Sequence, residues 1–138
     1  MEEKKVAVVG AGLVGSLLAV LLAKKGMQVD VFERRPDLRK AKAIGGRSIN
    51  LALSNRGFKA LALAGFDKEI RDVSIPMYGR QMHDVEGNLT NQAYGKDNEA
   101  IYSVSRGQLN QKLMNLADDY ENVKYRFDRA CEDIDLSK

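Results

Sequence analysis

Apolar residues along this chain fall into three rhythms, and each predicts a different element. The first is a continuous run. Residues 6–23 carry no charge and are interrupted only by Gly10, Gly12, Gly15 and Ser16. A short strand, Val6-Ala-Val-Val9, runs through this glycine cluster into an apolar helix, Ser16 to Lys25, which Gly26 stops. A second strand, Val29-Asp-Val-Phe32, ends at Glu33. The second rhythm is alternation. Ser48-Ile-Asn-Leu-Ala-Leu53 reads as a strand, and Ser54 then caps a helix through Ala64 that stops at Gly65. Phe66 to Val73 predicts a short helix that Pro76 breaks. The third rhythm is a helical stripe, Leu109, Leu113, Leu116, Ala117 and Tyr120, behind a Ser105 cap.

Between these segments the pattern predicts an antiparallel insertion, at about 76–105. Met77 to Asp84 and Leu89 to Tyr94 form a hairpin, and Ile101-Tyr-Ser-Val104 forms a further strand. A three-residue loop, 86–88, pairs Val85 with Leu89 and places Arg80 opposite Tyr94 on one face. A two-residue turn would instead pair Arg80 with Ala93 and send Tyr94 to the other face. Val123 to Phe127 is the next strand, and Arg129 to Leu136 is read as continuing in β conformation. The resulting fold class is α/β, a Rossmann-like βαβ sheet with an inserted antiparallel region.

The glycine cluster has the spacing G-x-G-x-x-G between a strand and a helix, with an acid about 20 residues on. Gly10 permits the tight turn, Gly12 lets a pyrophosphate approach the backbone, and Gly15 lets the helix pack on the strand. The helix start offers free N–H groups to phosphate. Glu33 can accept hydrogen bonds from a ribose diol. These features define a dinucleotide site and leave NAD and FAD equally open. An NAD-linked dehydrogenase domain and a non-catalytic nucleotide-binding module are the alternatives. Arg34, Arg35, Arg39, Lys40 and Lys42 follow Glu33; most of them read as a solvated face rather than a phosphate site.

Composition narrows the picture. The 138 residues suffice for one domain, with 44% apolar and 30% charged residues. The net charge of +3 is scattered, which argues against nucleic-acid binding. A single cysteine, Cys131, excludes an internal disulfide and fits a reducing, cytoplasmic compartment. One histidine, His83, and one cysteine cannot build an ordinary zinc site. A run of about 18 apolar residues could cross a membrane. Three glycines in six positions and the Glu2-Glu3 pair beside Lys4-Lys5 oppose that reading, as they oppose a signal peptide.

Several segments together resemble the FAD-dependent aromatic hydroxylases, in particular the branch that hydroxylates kynurenine. They are Gly10-Ala-Gly-Leu-Val-Gly15, Glu33-Arg-Arg-Pro-Asp37, Gly46-Arg-Ser-Ile-Asn-Leu-Ala-Leu-Ser54 with Arg56-Gly57, Pro76-Met77 with Arg80, Tyr94-Gly95, and Ser103-Val-Ser-Arg106 with Leu109-Asn110. The resemblance implies that NADPH reduces bound FAD and that O2 and the reduced flavin hydroxylate L-kynurenine at its 3-position. It implies FAD contacts at Val14, Phe32, Glu33, Arg34, Arg35, Ala52, Arg106 and Cys131, the last through its backbone. A small buried strand residue is the other reading of Cys131. Arg80 and Tyr94 match the pair that holds the substrate carboxylate. The family's later Asp-Gly and Gly-Asp dipeptides do not occur in this sequence. The expectation is therefore an N-terminal portion, incomplete at the C-terminus and inactive by itself, with an exposed sheet edge that favours a homo-oligomer.

Overall fold

The computed structural model describes residues 4–40 and 49–137. Lys42, the Gly46-Arg47 start of the alternating motif and Ser48 lie outside the described residues. The chain divides into two compact units, Met1–Arg47 with Gly107–Lys138, and Ser48–Arg106.

The first unit is built on a parallel sheet. Strand β1, Lys5–Val9, pairs with β2, Gln28–Phe32, and the helix α1, Leu13–Ala23, connects them. β2 also pairs in parallel with β8, Val123–Arg126, giving the order β1-β2-β8. In-register rows alternate between the faces, as the pleat requires. Val8, Val29, Val31 and Val123 are buried on one face, against which α1 packs with Ala19, Val20 and Ala23. The opposite face carries Ala7, Val9 and Phe32 with an Asp30–Arg126 ion pair at 2.9 Å. α1 ends one residue before Lys24, and Gly26 follows in the left-handed region at φ +77°. Asn122 Nδ2 donates to the carbonyls of Ala23 at 3.0 Å and Met27 at 2.7 Å, tying the turn before β8 to the end of α1 and the start of β2.

Helix α4, Arg106–Asp118, belongs to this unit from Gly107 onward. It buries Leu109, Asn110, Leu113, Met114 and Ala117. The expected stripe is right at Leu109, Leu113 and Ala117; Leu116 and Tyr120 are only half-buried, and Met114 and Asn110 take the remaining inner positions. Residues 129–136 are not a strand. They are exposed, and the last bonds to β2's end are Asp128 N–H to Arg35 O and Arg129 N–H to Glu33 O. Beyond them Asp133 and Asp135 accept N–H bonds from Ile134 and Ser137, local turns that replace a sheet ladder.

The second unit holds two antiparallel sheets. β3, Asn50–Leu53, and β4, Ile75–Met77, flank β7, Ile101–Ser105. The helices α2, Asn55–Ala64, and α3, Asp67–Asp72, lie between β3 and β4 in the chain. Gly65 ends α2 at φ +75°, as expected, while Ser54 sits at the N-cap without a side-chain cap bond. Phe58, Leu61, Phe66, Ile70 and Val104 form the buried core. The Phe58 and Tyr102 rings meet edge to face at 5.1 Å, and the Arg71 guanidinium lies 4.0 Å over Phe58. Pro76 is not the point at which α3 breaks. The helix has already ended at Asp72, and Pro76 stands within β4, at the sheet edge where its missing N–H costs no ladder bond.

The second sheet is the hairpin β5, Gly79–His83, and β6, Leu89–Ala93. The expected single strand from Met77 is therefore split at Tyr78 between two sheets. The expected register is also wrong. His83 pairs with Leu89 and Arg80 with Gln92, so the loop is 84–88 rather than 86–88. Asp84 explains the difference. Its Oδ1 accepts the N–H groups of Glu86 at 2.9 Å and Asn88 at 2.8 Å, and Gly87 takes φ +87°. That side chain draws five residues into the turn and leaves Val85 fully exposed instead of paired.

Candidate dinucleotide and substrate sites

The glycine turn of the first unit is set by backbone geometry. Gly10 adopts φ +98°, a conformation that favours glycine, and its N–H donates to Phe32 O at 2.7 Å. A Cβ on Gly15 would stand 1.9 Å from Gly10 O, so the helix can follow the turn this closely only without a side chain. A Cβ on Gly12 would meet nothing within 4 Å. That space lies at the N-cap of α1, where Gly12 O accepts from Ser16 N–H at 2.9 Å. Val14, 80% exposed, stands on the first turn of the helix.

Glu33 ties the turn to the end of β2. Its Oε2 accepts the Ala11 N–H at 2.9 Å, across 22 residues of sequence. Its Oε1 accepts the Arg35 N–H at 2.9 Å and Nε at 3.0 Å. Burial pushes this carboxyl up. The bonds from the Arg35 side chain and from the Arg35 and Ala11 N–H groups outweigh it and hold the pKa below its ordinary value. A carboxylate has about four lone-pair sites, so these three donors leave one acceptor position without a partner among them. Phe32 is half-buried and Arg34 exposed beside it.

Two residues of the turn's support escape a sequence reading. Asn110, nearly buried on α4, donates Nδ2 to Ala11 O at 3.1 Å across 99 residues of sequence. Ser16 donates Oγ to the same carbonyl at 3.3 Å. Asn110 stands in a motif shared with the hydroxylases, which was the available signal; its partner is set only by the fold. Arg39 also departs from the solvated face expected of it. It pairs with the buried Asp37 at 2.8 Å and with Asp118, donates to Asn115, and lies over the stacked rings of Tyr125 and Phe127. Cys131 is exposed outside any strand, which overturns its reading as a buried strand residue.

The remaining candidates lie in the second unit. Ala52, in β3, is exposed and pairs with Ser103. Arg106 is exposed, and its N–H donates to Ile49 O at 3.1 Å. Arg80 and Tyr94 are not opposite each other. Arg80 Nε donates to its true partner, Gln92 Oε1, at 2.8 Å, while Tyr94 N–H donates to Tyr78 O at 2.9 Å. The register has slipped by two residues, which preserves the face, so the two side chains are diagonal neighbours. Tyr94 lines a cleft of about 320 Å³ with Arg56 and Glu99, and Arg80 is not among its walls. Among the described residues no His, Cys, Asp and Glu cluster could hold a metal, and no helix is long and apolar enough to cross a membrane.

These features define a Rossmann-like α/β fold with a dinucleotide-type glycine turn. Residues 8–59 match the family model of the NAD(P)-binding Rossmann-like domain. The structure is similar to p-nitrophenol 4-monooxygenase from Pseudomonas putida, with TM-score 0.78 and 22% identity over 99% of this chain and 35% of that one. It is also similar to 2-methyl-3-hydroxypyridine-5-carboxylic acid oxygenase, with TM-score 0.74 and 19% identity over 93% of this chain and 32% of that one. At such identity these likenesses speak for the fold alone.

The particular kinship comes from sequence. The chain is 51% identical to the kynurenine 3-monooxygenase of Christiangramia forsetii over 99% of its own length and 30% of that protein's. It is 47% identical to that of Drosophila melanogaster over 98% of its length and 29% of that protein's. The chain spans about 30% of the length of the curated relatives it matches.

Proposed function

We propose that this chain supplies the FAD-binding and substrate-anchoring part of an NADPH-dependent hydroxylase that converts L-kynurenine to 3-hydroxykynurenine. The observation that carries the reading is the 51% identity to a kynurenine 3-monooxygenase, extending over 99% of the chain and so through both units. The geometry supports the cofactor half of it. Space at Gly12, a closed approach at Gly15 and a spare acceptor on Glu33 fit a pyrophosphate and a ribose. In this reading Gly10, Gly12, Val14 and Gly15 serve the pyrophosphate, and Phe32, Glu33, Arg34, Arg35 and the Cys131 backbone serve the adenosine end. Ala52 and Arg106 serve the flavin within the second unit, where a guanidinium suits an anionic oxygen pair. Arg80 and Tyr94 anchor the substrate carboxylate from one face of the hairpin.

When bound, the flavin supplies the oxygen-transfer chemistry with O2, and NADPH supplies the electrons; the protein's part is to bind and orient. Glu33 holds the Ala11 N–H, so the turn is fixed before a phosphate arrives, which lowers the ordering cost of binding. A cytoplasmic location follows from the same reading and is supported by the free, exposed Cys131. β1 has one ladder partner among the described residues, which supports association through its other edge, with a second copy as the simplest partner. Light scattering tests that point: a dimer is expected, and a monodisperse monomer removes it.

Reconstitution tests the main reading. Purified chain incubated with FAD and desalted should stay yellow, with a flavin absorbance spectrum, and Glu33→Ala should lose the colour. Colourless protein that binds NADH would replace the reading with a nicotinamide-binding domain.

A further inference from the structure

We propose that Asn110 is a positioning residue for diphosphate recognition: from inside the core it fixes the Ala11–Gly12 peptide so that the Gly12 N–H faces the nucleotide. The inference rests on the dinucleotide site proposed above, and not on which dinucleotide occupies it.

The peptide after Ala11 is trans, like every described peptide bond, so its C=O and N–H point in opposite directions. The Ala11 carbonyl is turned inward. It accepts Asn110 Nδ2 at 3.1 Å and Ser16 Oγ at 3.3 Å, and both of these residues are buried. The Gly12 N–H, on the other side of the same plane, is therefore turned outward at the N-cap of α1. A Cβ on Gly12 would meet nothing within 4 Å, so a phosphate can reach the backbone there. Without the inward bonds the plane could rotate. A glycine on one side makes that rotation cheap, and the carbonyl would then face the phosphate with the wrong sign of charge. The preceding peptide is held separately, because Glu33 accepts the Ala11 N–H.

The surroundings of Asn110 set this role apart from packing. The residue is 7% exposed and shares the buried positions of α4 with Leu109, Leu113, Met114 and Ala117. Its Oδ1 is buried and has no donor among the described residues. Its Nδ2 otherwise meets only the Met114 sulfur, a weak acceptor, at 3.7 Å. The one strong bond of this amide is thus the bond to the glycine turn. Burying an amide with an unmet acceptor costs stability, and a leucine of similar size would avoid that cost. What leucine cannot do is donate to Ala11.

The test follows the Gly12 amide of the 138-residue chain by NMR as ADP is added, with adenosine as the control that lacks the diphosphate. The ADP group is common to FAD and NAD, so the result is independent of the flavin test. The Gly12 signal should shift with ADP and not with adenosine. Asn110→Leu should keep or raise the denaturation midpoint, leave adenosine unchanged and weaken ADP about fivefold, the worth of one ordinary hydrogen bond. Adding Ser16→Ala should bring the loss to about twentyfold, as the second bond to the same carbonyl goes. Unchanged ADP affinity in the double variant overturns the proposal while the dinucleotide site stands. So does an Asn110→Leu chain that unfolds, or that loses adenosine and ADP alike, since Asn110 would then serve the fold. A Gly12 amide that ignores ADP in the parent chain overturns the proposal together with the site.

Discussion

The glycine turn of the first unit and the hairpin of the second are both tight reversals closed by an aspartate or glutamate, yet they are held in opposite ways. Glu33 is buried and reaches Ala11 across 22 residues of sequence, and Asn110 reaches the same residue's carbonyl across 99. Asp84 is exposed and bonds only to residues two to four positions away. All residues of β5 and β6 are exposed, whereas β2 buries Val29 and Val31. The contrast suggests a division of labour. The glycine turn is preformed by long-range buried bonds, and the hairpin is locally stabilised and solvated.

The most damaging way to break this contrast is Gly15→Ala. The new Cβ would fall 1.9 Å from Gly10 O, a backbone atom that cannot swing aside, and helix and strand must separate. A loss of about 3 kcal/mol or more is expected from such strain, enough to unfold a marginal unit. Chemical denaturation followed by circular dichroism measures it. A variant as stable as the parent would mean that the turn is not rigid. The Arg39 clamp comes second. Arg39→Ala leaves Asp37 buried without its guanidinium and uncovers the Tyr125–Phe127 stack. About 2 kcal/mol is expected, less than for a fully buried pair because the site keeps some contact with water. Arg39→Lys should recover only part of it, since the fork to Asp37 and Asp118 is lost.

These two sites differ in how readable they are. Gly15 was legible because the need for glycine is written in a local spacing between strand and helix. Arg39 sat in a run of cations that reads as a solvated face, and its partners Asn115 and Asp118 lie 76 and 79 residues away. Asn110 and Asn122 escaped for the same reason. The hairpin register failed through a local effect instead: alternation predicted the strands, but nothing in it announced that Asp84 would capture two backbone N–H groups. Residues 129–136 alternate acidic and apolar positions through Asp133-Ile-Asp-Leu136 but have no ladder partner among the described residues, and strand conformation depends on one. Each strand and helix that was predicted correctly rests on periodicity; each error concerns a partner.

A pH titration sharpens the contrast further. The pKa of Glu33 is held below its ordinary value, chiefly by Arg35 and Ala11 against the opposing effect of burial. The pKa of Asp37 is held down first by the Arg39 side chain, against burial. A carboxyl whose folded pKa is depressed contributes stability that is complete above its unfolded pKa and lost as pH falls through the folded value. The first unit should therefore hold at neutral pH and weaken below the ordinary carboxylate values near 4.5 and 3.8. Glu33→Gln with Asp37→Asn should flatten that acid slope while lowering stability at pH 7. An unchanged slope would show that these two buried carboxyls do not set the acid limit.

The smallest effect is expected at Arg80. Its bond to Gln92 joins two exposed side chains, and the register is fixed by the Asp84 turn rather than by that pair. Arg80→Ala should move the melting temperature by no more than ~2 °C. It should preserve the Tyr94 N–H to Tyr78 O bond, which amide exchange can follow. Asp84→Ala should do the reverse, since releasing the N–H groups of Glu86 and Asn88 frees the loop to shorten and the strands to slip. If Arg80→Ala instead loosens the hairpin, its fold depends on side-chain pairs across its strands. The hairpin would then be assembled by the same kind of contact as the glycine turn, only without burial.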